Sequence, residues 1–87
     1  MRALPPEAVA SLRAVFAEDL PCRVEGLRSD DAVACRRAAH TVGSSAYVVG
    51  EPELARAARA VEALVDGGQP WRGPADALAD RLARWAP

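Results

Sequence analysis

Lysine is missing from the chain, so all eleven basic side chains are arginine, set against twelve acidic ones. The resulting net charge of −1 leaves no basic excess of the kind that marks a nucleic-acid binder or a polybasic membrane anchor, and the expected partner is another protein. Aromatic residues are few: Phe16, Tyr47, Trp71 and Trp85. With alanine supplying much of the apolar half of the composition, closely packed helices are favoured over strands. Cys22 and Cys35 form no CxxC pair, and with a single histidine and no third thiol they make a poor zinc set. The expectation is no metal, no cofactor, and two reduced, buried thiols. Nowhere does an apolar run approach the ~20 residues of a membrane span. The opening MRALPPEAVA holds no signal-peptide core, which sets the expectation of a cytoplasmic protein. Eighty-seven residues accommodate one small domain, 1–87, without a separate nucleotide-binding half.

What is present is helical periodicity. Val9, Leu12, Phe16, Leu20, Val24 and Leu27 recur every three or four residues and predict a first helix from Pro5 or Pro6 to Leu27, kinked or split near Leu20 by Pro21. Ser29, Asp30 and Asp31 suit the start of a second helix, which runs to about Val49 with Val33, Ala39, Val42, Ala46 and Val49 toward the core; Gly50 is its natural stop. Pro52 opens a third, with Leu54, Ala57, Ala58, Val61, Leu64 and Val65 in register, ended by Gly67 and Gly68. Pro74 begins a fourth with Ala75, Leu78, Leu82 and Trp85 on one side, and Trp71 helps close the assembly. Links this short make neighbours antiparallel, which predicts an all-α, up-and-down four-helix bundle. Cys22 and Cys35, equally far from the turn near Arg28 and Ser29, are placed to approach each other.

His40 stands off the apolar stripe of its helix. Arg36 and Arg37 precede it by one turn, Gly43 and Ser44 follow by one turn, and Tyr47 by two, all near one face. Neutral imidazole is nucleophilic near pH 7, and a phosphoryl group on its nitrogen stays reactive enough to be passed on. In-line transfer needs a ring that protrudes where a partner can close over it. Arg36 and Arg37 are candidates to steady phosphate charge, with a solvated charged surface as the plain alternative. An interior helix glycine costs about 1 kcal/mol against alanine, so Gly43 asks for a reason: clearance beside His40, or tight helix packing. Tyr47 reads either as a docking contact or as a bundle-edge side chain with a wet hydroxyl, and Thr41 is grouped with it as a docking candidate.

The stretch AAHTVGSSAYVVGEPELARAARAVEAL, from Ala38 to Leu64, resembles the signature of histidine-containing phosphotransfer (HPt) domains. There a helix carries His-x-Leu-Lys-Gly, then small residues and a glycine, and the next helix carries spaced Leu and Ala ending in Leu-Glu. His40 matches the phosphorylated histidine, Val42 the Leu, Ser45 and Ala46 the small pair and Gly50 the terminating glycine, while Leu54, Ala58, Val61 and Glu62 fit the following helix. Two positions depart from the pattern: Gly43 stands where the family usually has Lys, and Ser44 where it usually has Gly. The resemblance implies a phosphocarrier without its own nucleotide site, acting as a monomer between a kinase or receiver donor and a receiver aspartate. Magnesium would belong to the receiver's acidic pocket. A bundle that only docks, without taking phosphate, is the alternative that Gly43 supports. The dimerising phosphoacceptor region of a sensor kinase fits less well, because Thr41 and Val42 replace the acidic neighbour and downstream proline usual there.

Overall fold

The computed structural model describes residues 4–86. Four helices follow one another, α1 (Pro6–Arg28), α2 (Ala32–Val48), α3 (Pro52–Asp66) and α4 (Arg72–Ala83), and no strand occurs among the described residues. α1 packs on α2 and α4, and α3 packs on the same two, which is the ring of neighbours of an up-and-down four-helix bundle. The core is built of Leu27, Leu78, Leu82, Val42, Val61 and Cys35, all essentially sealed from water, around a seam of buried alanines.

Local chemistry sets the helix ends. The Asp31 carboxylate accepts the Val33 N–H at 2.9 Å, and the Ser29 hydroxyl accepts the Asp31 N–H at 3.1 Å, so side chains satisfy donors that the first turn of α2 leaves open. α2 and α3 stop in the same way. Gly50 (φ +81°) and Gly68 (φ +65°) take the left-handed conformation, letting Glu51 N–H reach the Ala46 carbonyl and Gln69 N–H reach that of Leu64.

Several expectations change. α1 is not split at Pro21 but continues through it as one helix; the proline is exposed, so the Ala17 carbonyl it leaves without a partner can turn to water. Val33 is exposed, at 64%, because it lies nine residues before Val42, about two and a half turns, on the opposite side of α2. α4 begins at Arg72, ahead of Pro74. The Arg72 guanidinium donates to the Leu27 and Ser29 carbonyls, pairs with Asp76 at 3.0 Å and lies over the Trp71 ring, tying the start of α4 to the end of α1. Trp85 lies past the end of α4, yet packs edge-on against Phe16 at 4.9 Å. Arg13 covers Trp85 and donates to the Val49 carbonyl at 2.8 Å and to Glu51 at 3.2 Å. One arginine thus joins α1, the α2–α3 turn and the C-terminal residues.

A further change concerns the thiols, which are free: Cys35 is buried, as expected, but Cys22 is exposed. Cys35 Sγ faces the Leu27 carbonyl at 3.7 Å. Cys22 is five residues before Leu27, about 7.5 Å farther along α1, which is why equal distance from the turn does not pair the two. Burial pushes the Cys35 thiol pKa up, with Arg72 opposing and Asp76 reinforcing that shift. In native protein, iodoacetamide should therefore alkylate Cys22 alone, Cys35 reacting at least about tenfold more slowly because attack needs an exposed thiolate. Peptide mapping of a timed reaction checks this, and equal labelling of both would contradict the packing of α2 on α1.

Candidate functional site

His40 is carried near the middle of α2. The inward face of that helix is Cys35, Ala38, Ala39, Val42, Gly43 and Ala46, and the imidazole rises from the rim of this face with 63% of its side chain exposed. Small residues under the rim let α3 come close: a Cβ on Gly43 would stand 3.5 Å from Arg59 Cγ, 3.8 Å from Ala58 Cβ and 3.9 Å from the Ala55 carbonyl. Gly43 is buried. The glycine faces α3 and the stem of Arg59 lies across it, but these are ordinary contact distances, at which an alanine would also fit.

The antiparallel α2–α3 hairpin turns about Glu51, and residues equally far from Glu51 meet. Glu62 follows Glu51 by eleven residues and His40 precedes it by eleven; Glu62 Oε2 lies 2.9 Å from His40 Nδ1. Arg36 and Asp66, each fifteen residues away, pair at 2.5 Å through Nε. Gly43 and Arg59, each eight away, are the contact just described. Arg36 also reaches Glu62 at 3.1 Å, so a chain Asp66–Arg36–Glu62–His40 runs along the seam. Its hydrogen bond from Arg36 holds the Asp66 carboxyl below the usual aspartate range. Glu62, with 18% of its side chain exposed, is the most enclosed member. A carboxylate that bonds Nδ1 selects the tautomer with the proton on Nδ1 and leaves the Nε2 lone pair facing outward.

A cleft of about 160 Å³ opens beside the ring, lined by His40, Gly43, Ser44, Arg59 and Glu62. The remaining residues singled out from sequence are spread around it. Ser44 is exposed, Thr41 half-buried and Tyr47 exposed at 68%. Tyr47 borders a second cleft with Pro52, Ala55, Arg56 and Arg59. Arg36 is committed to Glu62 and Asp66, whereas Arg37 is exposed and forms no ion pair among the described residues. Glu62 and Arg59 escape a reading confined to the spacing around His40, since both arrive from α3; equal spacing about the Gly50–Glu51 turn is the signal that locates them. Among the described residues no group of three or more His, Cys, Asp or Glu is arranged to hold a metal ion, and no helix is long and apolar enough to cross a membrane.

The Hpt domain family model matches residues 11–86, nearly the whole of the described chain. The chain belongs to the Hpt domain family. Membership implies a histidine phosphotransfer role in a phosphorelay, as a phosphocarrier and not as an enzyme with its own nucleotide site. No curated protein and no solved structure gives a significant match. Within this Hpt domain His40 is the only histidine, and it stands on α2 inside the matched range.

Proposed function

We propose that this Hpt domain carries a phosphoryl group on Nε2 of His40, receiving it from a sensor kinase or a receiver aspartyl phosphate and passing it to a receiver aspartate. The observation that carries the reading is the His40 Nδ1···Glu62 Oε2 contact at 2.9 Å on an otherwise exposed ring. With the proton on Nδ1, Nε2 presents its lone pair to phosphorus. As the N–P bond forms, the bond from phosphorus to the aspartyl oxygen breaks, the aspartate leaves as a carboxylate, and no proton has to move. The ring acquires positive charge in that step. Glu62 faces that charge in a partly enclosed setting, where a fixed anion acts more strongly than in bulk water.

The chain then divides its labour. Arg36 holds Glu62 in place, and Gly43 and Ser44 line the cleft beside the ring where the phosphoryl group would sit. Thr41 and Tyr47 meet the receiver or kinase. Ser44, exposed and small, leaves the approach to Nε2 open. The domain works as a cytoplasmic monomer, since a carrier between two proteins needs its one reactive face uncovered.

The test is to mix the protein with phosphorylated receiver domains from its own organism and follow label onto the chain. An acid-labile, alkali-stable adduct on the His40 peptide is expected. A chain that binds receivers but stays unlabelled with every donor would establish the docking-only alternative.

A further inference from the structure

The family pattern places a lysine one turn after the phosphorylated histidine, and this chain has Gly43 there. The space is occupied all the same. Arg59 comes across from α3, its Cγ in van der Waals reach of the point where a Gly43 Cβ would stand. Its side chain lines both the cleft that contains His40 and the one that contains Tyr47. Every other cation close to His40 has a different task or no place in that cleft. Arg36 is held by Asp66 and Glu62, and Arg37 does not line the cleft. Arg59 is exposed and forms no ion pair among the described residues. The Glu62 carboxylate beside it is already engaged by Arg36 and His40.

We propose that Arg59 is the phosphoryl-binding cation of this domain, supplied from α3 in place of the lysine that α2 lacks, with its stem lying over Gly43. This rests on His40 being the phosphoacceptor. The cleft of about 160 Å³ is several times the ~30 Å³ that a water molecule occupies in the liquid, enough for the oxygens of a phosphoryl group. A guanidinium offers paired N–H donors to two of those oxygens at once. Glu62 then faces the ring's positive charge and Arg59 the phosphoryl group's negative charge, so the two side chains, one turn apart on α3, stabilise opposite ends of the same N–P bond.

The test uses phosphoramidate, a small donor that removes partner docking from the measurement. Nε2 attacks phosphorus, the donor's P–N bond breaks, and ammonia leaves. Arg59→Met keeps the methylene stem over Gly43 and removes only the charge; labelling should slow roughly fivefold, the size of one exposed charged contact, with a flatter dependence on salt. Arg59→Lys should stay within about twofold of wild type, keeping the charge but losing the paired donors. Gly43→Lys introduced into Arg59→Met returns the cation to α2 and should recover most of the lost rate, which a merely structural role for Arg59 would not allow. The Met and Lys variants decide the matter even where the double variant does not fold. Wild-type rate and salt dependence in Arg59→Met would overturn the assignment while leaving His40 in its role. A wild-type chain that takes no phosphoryl group from phosphoramidate or from any receiver would overturn both.

Discussion

Replacing His40 with Gln is expected to bring phosphoryl incorporation to background while leaving stability within about 0.5 kcal/mol of wild type, as for an exposed residue outside the core. The two halves of this expectation have separate causes. Incorporation is lost because the Gln amide nitrogen has no free lone pair, its electrons being delocalised into the carbonyl, and because no second histidine exists. Stability holds because 63% of the His40 side chain is already in water, and because its one polar contact, to Glu62, can be remade by the Gln amide N–H. The Arg36 pairs with Glu62 and Asp66 do not depend on the ring. Label incorporation from a phosphorylated receiver, set beside a urea melt of each protein, measures both quantities. Equal labelling of variant and wild type would move the acceptor to another side chain, and a large loss of stability would mean that the ring is packed more firmly than its exposure indicates.

The parts of this molecule legible in its sequence are those set within a helix or at its ends. Phe16, Leu20 and Leu27 on α1, Leu54, Ala58 and Val61 on α3, and Ala75, Leu78 and Leu82 on α4 are buried as their spacing predicts, because a period of 3.6 assigns one face without reference to a neighbour. Gly50 and Gly68 end their helices for the same local reason. Where the outcome depended on a second helix, spacing alone did not reach it. Val33 satisfied a loose reading of the period, but α2 turns its inward face through Cys35 and Val42, away from Val33. The site divides along the same line. His40, Gly43, Ser44 and Tyr47 are neighbours along α2 and could be grouped by eye, whereas Glu62 and Arg59 become neighbours of His40 only through the register of the α2–α3 hairpin. The cysteines show the limit of counting outward from a turn. The α2–α3 turn is short and closed by hydrogen bonds at Gly50, and its register is symmetric about Glu51. α1 and α2 meet in a shifted register, with Gly26 opposite Ala38 and Cys35 opposite Leu27.

That shifted register makes Gly26→Ala damaging although it adds a single carbon to α1. Helix propensity alone would favour alanine by up to about 1 kcal/mol. The new Cβ, however, would stand 2.8 Å from the Ala38 Cβ, closer than two carbons tolerate. Both atoms are fixed to helix backbone, so no rotamer change relieves the overlap, and α1 and α2 must move apart over the buried Leu27 and Cys35. Overpacking of this kind costs about 1–3 kcal/mol. The net expectation is a loss of about 1–2 kcal/mol, which lowers Tm by about 4–8 °C per kcal/mol in a domain of this size. Gly43→Ala is the matched control with the opposite sign. Its Cβ would meet Arg59, Ala58 and Ala55 only at ordinary contact distances, 3.5–3.9 Å, so the propensity gain of up to about 1 kcal/mol is free to appear as a higher Tm. Ala38→Gly introduced into the Gly26→Ala protein removes the opposing carbon, and the double variant should be more stable than the sum of the two single losses requires. Thermal melts of the wild type and the four variants settle it: a Tm that rises in Gly26→Ala, or strict additivity in the double variant, would mean that α1 and α2 do not touch at Gly26 and Ala38. A fall in Gly26→Ala alongside a rise in Gly43→Ala would show two helix-interior glycines kept apart in sign by the distance to the facing helix, and not by any difference in local propensity.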